Sequence, residues 1–298
     1  MKKYFIPLLA LGAMFTVTSC IEESTDHCPK KANVLLDWVE TLPITEEGNP
    51  VNVVIIPGDG SNEQVYDSDT HSPDVEIPVG EQTILVYEKN GDKHVNNRQQ
   101  TVSVDTDDDG KMNDEPDYFS GGSVKVDVQP NSDLELPLYK QVRELIIELK
   151  LTGPGADYIA GITGNFDGIA TERHINNGFR PVDPTVTRSP AIRKGDVDYT
   201  FDNVENESDA FFSGSRKLLG IDGEGKQILT LTITFKNGDT HFFPVDVTEL
   251  MDGFHTEDLD TEGSERPWYI KLAFEVATSF EIVIVDWEDG GSSWITPD

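Results

Sequence analysis

The stretch Gln227-Ile228-Leu229-Thr230-Leu231-Thr232-Ile233-Thr234-Phe235-Lys236, then Asn237-Gly238-Asp239, then Thr240-His241-Phe242-Phe243-Pro244-Val245-Asp246-Val247 decides the fold class. Leu229, Leu231, Ile233 and Phe235 alternate with threonines, the period of a strand with one buried face. Asn-Gly between two such runs tolerates the positive φ that a type I′ hairpin turn needs. The same reading extends along the chain. Strands are expected at Val34–Val39, Val51–Pro57, Thr83–Glu88, Ser123–Val128, Leu145–Thr152, Tyr158–Thr163, Trp268–Val276 and Phe280–Trp287. Asn90-Gly91 offers a second turn of the Asn-Gly kind after Thr83–Glu88. Leu145–Leu151 could be scanned as a helix, but Leu145, Ile147, Leu149 and Leu151 alternate as a strand does. A short helix is expected around Leu250–Phe254. Short strands without long amphipathic helices between them argue for β-sandwiches rather than βαβ units.

The chain has 298 residues, with 23 Lys plus Arg against 55 Asp plus Glu, a formal net charge of −32. Such a chain lacks the positive footprint that displaces phosphate counterions, so a nucleic-acid partner is excluded. An anionic membrane surface repels it as well. The 14 Phe, 8 Tyr and 4 Trp supply core material although the hydrophobic fraction is only 37%. Length suggests two domains, and the composition of Pro130–Pro137 marks a boundary near residue 140. Two cysteines cannot form a disulfide scaffold for this length.

Met1-Lys2-Lys3 followed by an apolar run from Tyr4 to Val17 has the form of a signal peptide, too short to span a bilayer. It ends Val17-Thr18-Ser19-Cys20, which resembles the lipobox of bacterial lipoproteins. Cleavage before Cys20 and acylation of its thiol are the expectation, and Cys28 then has no partner in its own chain. The acidic stretch Ile21-Glu22-Glu23-Ser24-Thr25-Asp26 is similar to the export tag of Bacteroidetes surface lipoproteins. The expected organisation is a signal peptide at 1–19, a lipidated acidic linker at 20–31, β-sandwiches at 32–140 and 141–287, and a tail at 288–298. That tail holds Gly290-Gly291-Ser292-Ser293 and then the apolar pair Trp294-Ile295.

Asp26-His27-Cys28-Pro29 followed by Val34-Leu35-Leu36-Asp37-Trp38 is similar to the start of a Bacteroidetes lipoprotein family of unknown function, related to FimB-type fimbrial anchor and accessory proteins. Ile77-Pro78-Val79-Gly80 before Thr83–Tyr87, Ala160-Gly161-Ile162-Thr163-Gly164, Asn237-Gly238-Asp239 before Asp246-Val247-Thr248, and Phe280–Trp287 resemble later segments of that family in the same order. The resemblance implies an all-β chain of two tandem transthyretin-like, immunoglobulin-type sandwiches. It also implies a cell-surface role and carries no catalytic residues to transfer.

The sharpest local motif is Asp105-Thr106-Asp107-Asp108-Asp109-Gly110-Lys111-Met112-Asn113. Asp105, Asp107 and Asp109 with Gly110 follow the opening of an EF-hand calcium loop, where carboxylates converge on one cation and glycine makes the sharp turn. Lys111 would lend its carbonyl and Asn113 its side chain. Pro116 stands where the loop's bidentate glutamate belongs, so an acidic solvated loop is the alternative. No Gly-x-Ser-x-Gly elbow occurs, the six histidines form no zinc spacing, and Gly58-Asp59-Gly60 lacks a phosphate loop's spacing. Trp38 and Trp287 suit core or interface packing, or a sugar-stacking platform.

The expectation is a non-enzymatic lipoprotein at the outer face of the outer membrane, without a cofactor unless calcium binds. It would serve as an anchor, accessory or adhesion component of a fimbria-like assembly, joined to pilins or other surface lipoproteins by β-strand addition. The alternative is a surface glycan-binding lipoprotein for nutrient capture.

Overall fold

The computed structural model describes residues 33–38, 50–69, 75–91, 93–130, 133–175, 191–204, 210–252, 254, 267–279 and 282–289. The signal peptide, Cys20, the acidic linker, Cys28 and the tail beyond Asp289 lie outside the described residues. Among the described residues sixteen strands form two sheets, the all-β, sandwich-like arrangement that the alternating pattern predicts.

The first sheet runs β1-β8-β7-β4-β2-β3. Its members are β1 (Asn33–Trp38), β2 (Val51–Pro57), β3 (Gln64–Ser68), β4 (Gly80–Glu88), β7 (Ser120–Val128) and β8 (Asp133–Lys140). β8 runs parallel with β1 from Asp133 to Leu138 and meets β7 only at its end, at Gly121↔Tyr139 and Ser120↔Lys140. Leu136 and Leu138 thereby cover Val51, Val53, Ile55, Ile84 and Val86 in one apolar cluster. The other face of β2 and β4, through Val54, Leu85 and Tyr87, joins a second cluster that continues through Val102, Val104 and Phe119 into the second sheet. Burial on both faces explains why Val53–Ile56 of β2 reads as a continuous apolar run.

The second sheet follows β14-β13-β10-β11-β12-β9-β15-β16, with β6 on the end of β10 and β5 on β6. Its strands are β5 (Val95–Asn96), β6 (Thr101–Ser103), β9 (Arg143–Thr152), β10 (Ile159–His174), β11 (Arg193–Asn203), β12 (Ala210–Leu218), β13 (Ile228–Phe235), β14 (Thr240–Asp246), β15 (Trp268–Val276) and β16 (Ile282–Asp289). β11 pairs β10 over most of its length but meets β12 only at Asp202 and Asn203. The sheet folds back at that corner. Phe243 of β14 packs edge-on against Phe274 of β15 with ring centroids 5.6 Å apart, and the Tyr199 hydroxyl donates to the Leu145 carbonyl at 3.4 Å.

The structure departs from the sequence reading in several places. The Asn237-Gly238 turn is a type I turn with a bulge, not type I′. Gly238 N–H donates to Phe235 O at 2.9 Å and Phe235 N–H to Asp239 O at 2.9 Å. Only Gly238 takes the left-handed conformation, at φ +93°, because the loop is one residue longer than a two-residue hairpin. Asn90-Gly91 forms no hairpin. Lys89–Gly91 is a single 3-10 turn, and Gly91 lies so close to Phe119 that a Cβ would sit 2.5 Å from the ring. The helix expected at Leu250–Phe254 is one 3-10 turn, Glu249–Met251. β10 continues to His174 across bulges at Asp167/Ile169 and Ala170/Glu172.

Candidate functional site

Each sheet ends in edge strands, and the edges carry the features best suited to contact. β14 and β16 end the path of the second sheet, and β1 and β3 end the first. Such strands present backbone N–H and C=O groups on their outer side. On β14, Phe242 is 72% exposed while Phe243 turns toward the core. Val283 on β16 and Val65 on β3 are also exposed.

Between β14 and β16 lies a cleft of about 480 Å³. Val245, Leu250, Leu272 and Ile284 form its apolar floor, and Lys226, Asp246, Thr248 and Glu249 form its rim. The cleft exists because the second sheet folds back at β11 and leaves its two ends facing each other. Asp246 accepts from Lys226 Nζ at 2.7 Å and from the Thr248 hydroxyl at 2.5 Å. Those bonds, Lys226 foremost, bring its carboxyl down to about 2. The sequence marked Asp246-Val247-Thr248 only as a family-like segment. Its partner Lys226 precedes the same hairpin and carries no local sequence mark of the pairing.

The acidic loop is a folded turn rather than an open ring of carboxylates. Asp107 Oδ1 accepts the N–H groups of Asp109 at 3.0 Å and Lys111 at 2.9 Å. Asp107 N–H donates to Lys111 O at 2.9 Å, and Asn113 N–H to Asp105 O at 3.0 Å. Gly110 stands at φ +89°. The loop lies against β11, where Met112 N–H donates to Asp196 O at 2.9 Å. A Cβ at Gly195 would fall 2.1 Å from the Gly110 carbonyl, so only glycine admits this approach. Lys111 pairs with Asp198, whose hydrogen bond raises the lysine's pKa. Asn165 Nδ2 donates to Asp198 at 3.1 Å and also to Asp196. Arg216 closes the side, donating to Asp198 O at 2.7 Å and to Glu115 at 3.2 Å. Lys111, Asn113, Asp114, Glu115, Asp198 and Arg216 line a polar hollow of about 480 Å³. Among the described residues, no group of three or more His, Cys, Asp or Glu is placed to hold a metal ion.

Of the histidines, His94 is buried, stacked on Phe119 at 6.2 Å between centroids, with Nδ1 3.1 Å from Ser103 O. Burial lowers its pKa. His241 is exposed and meets Phe235 edge-on. Phe242 and Tyr158 are the exposed aromatics among the described residues, on β14 and in the turn before β10 respectively.

No family model matches the chain, and no curated protein matches its sequence. Solved structures do match. The fimbrial anchor protein Mfa2 from Porphyromonas gingivalis aligns at a TM-score of 0.56 and 12% identity, covering 89% of this chain and 98% of that one. A candidate adhesin from Bacteroides ovatus aligns at 0.54 and 14% identity, covering 89% and 96%. A candidate polysaccharide binding protein from Bacteroides thetaiotaomicron aligns at 0.51 and 10% identity, covering 86% and 96%. At these identities the likeness is one of fold.

Proposed function

We propose that this chain is a non-enzymatic surface lipoprotein, held in the outer membrane by acyl chains on Cys20, that serves as an anchor or accessory component of a fimbria-like assembly. The observation that carries the reading is the fold shared with a fimbrial anchor along 98% of that protein's length. The lipobox-like Val17-Thr18-Ser19-Cys20 supports the tether, since two or more acyl chains hold a protein stably where one does not. Edge strands β14 and β16 support a partner that adds a strand, because main-chain hydrogen bonds supply affinity and alternate side chains supply specificity. The N-terminus stays in the membrane, which suits a base or accessory position better than a place within a shaft. Glu22, Glu23 and Asp26 act as the export tag in this reading, and two tandem sandwiches at 32–140 and 141–287 form the body.

Cross-linking on intact cells tests the proposal. A pilin or another surface lipoprotein should be recovered with this chain, and deletion should alter the amount, length or retention of surface filaments. Neutral replacements of Glu22, Glu23 and Asp26 should leave the chain membrane-bound yet hidden from added protease.

A second reading, glycan capture, is favoured by the exposed rings of Phe242 and Tyr158. A deletion strain with normal filaments but impaired growth on one polysaccharide would establish it in place of the first.

A further inference from the structure

Among the described residues two strand pairs are parallel, and they are joined end to end. β1 pairs β8 in parallel from Asn33↔Asp133 to Trp38↔Leu138. β9 pairs β15 in parallel from Leu145↔Trp268 to Thr152↔Glu275. The other pairs among the named strands are antiparallel, including β9 with β12 on its second side. β8 passes into β9 through only Gln141 and Val142, which are 0% and 2% exposed.

Gln141 fastens that joint through its backbone and its amide nitrogen. Gln141 Nε2 donates to the carbonyls of Gly121 and Tyr139, both at 3.0 Å, and Ile175 at 3.2 Å. Gln141 N–H donates to Phe119 O at 2.9 Å. The buried Arg173 reaches Gln141 O at 2.8 Å, Leu219 O at 2.5 Å and His174 O at 3.0 Å. Groups from β7, β8 and β10 thus converge on Gln141, and Arg173 ties it to the segment after β12.

The direction of pull now matters. Tension applied ahead of β1 draws it away along its own axis. β8 runs the same way and is held at its far end by β9. The two strands can part only by sliding, which strains every hydrogen bond of the ladder together. A hairpin pulled at its open ends yields one bond at a time. β9, drawn by its N-terminal end, must likewise slide against β12 and β15 at once. Resistance to pulling follows the barrier to unfolding rather than equilibrium stability.

We propose that the chain is a shear clamp. Load arriving through its N-terminus is borne by the whole β1–β8 ladder, passed through the Gln141–Val142 joint, and spread from β9 over both of its neighbours. The inference rests on the tethered reading for the source of the load. The test needs no membrane, so its failure would leave that reading standing.

Single-molecule force spectroscopy on unlipidated residues 20–298 carrying Cys28→Ser tests the clamp. One pair of handles sits at Cys20 and at Thr163→Cys, on the central strand β10. A second pair sits at Glu224→Cys and Glu249→Cys, which flank the open end of the β13–β14 hairpin, in a chain that also carries Cys20→Ser. At equal pulling speed, the first geometry should rupture at a severalfold higher force than the second. Equal or lower force in the first geometry would overturn the clamp. Leu35→Pro with Leu36→Pro removes the N–H that β1 directs at β8 from one of any two successive residues, and should lower the rupture force of the first geometry only. A folded double variant with unchanged rupture force would also overturn it.

Discussion

Arg173 is the most deeply buried cation described, and three backbone carbonyls receive its guanidinium. Burial lowers its pKa to about 9, which leaves it charged at neutral pH. Arg173→Met keeps much of the volume and strips the donors from buried carbonyls, so it should cost on the order of 3 kcal/mol of unfolding free energy. Arg173→Lys should rescue little, because an ammonium lacks the planar fork that reaches three separated acceptors. Urea unfolding of both variants checks this. His94 gives the molecule a pH response. Burial holds its folded pKa below the ordinary value of about 6.5. As pH falls through that ordinary value the unfolded chain takes up a proton first, so folded stability drops, and it is fully present only above it. His94→Phe should flatten the loss of melting temperature between about pH 7 and pH 5.5. An unchanged slope would assign the loss to other groups. In the acidic loop, Asp107→Ala should lower stability by about 1 kcal/mol through the two lost N–H acceptors, while Asp107→Asn should retain most of it. If millimolar calcium raised the melting temperature and Asp107→Asn removed that rise, the loop would be a cation site instead.

Among the strands, legibility in the sequence followed solvent contact on one face. β9 alternates buried and half-buried residues along its whole length, and β13 does the same, so period two names both. β11 carries an equally clear alternation in Val197, Tyr199 and Phe201 between Asp196, Asp198, Thr200 and Asp202, set among charged residues that mask it. β12 had little to offer, since Ser213-Gly214-Ser215 interrupts its apolar residues. β3 is largely exposed and never alternates cleanly. The turn at Gly238 shows the limit of local chemistry. Asn-Gly announced a hairpin, but the loop length that selects its type depends on where the strands register. Gly238→Ala should cost about 1 kcal/mol, because its φ of +93° falls where a Cβ is strained, and thermal unfolding reads it directly. The site divided in the same way. The Asp105–Asn113 turn was visible because it is contiguous. Its partners Asp196, Asp198, Asn165 and Arg216 come from distant strands and were not. Gln141 and Arg173 carry no local mark of their joint role.

For the molecule as a whole, one apolar cluster runs from Val54 and Leu85 of the first sheet to Leu231 and Phe274 of the second, and the Gln141–Arg173 joint is fastened to both. The described body should therefore unfold in one transition, with near- and far-ultraviolet circular dichroism coinciding during urea titration. Two separated transitions would mean that the sheets melt independently. The same continuity suits a component that must hand tension from a tether to an assembly. The measurement that tests this account most directly is the partition of filaments between cells and medium in a strain whose only copy carries Cys20→Ala. The account predicts that this chain leaves the membrane fraction and that filaments are shed into the medium. Filaments retained as in the parent strain, with the unlipidated chain absent from the membrane, would contradict it.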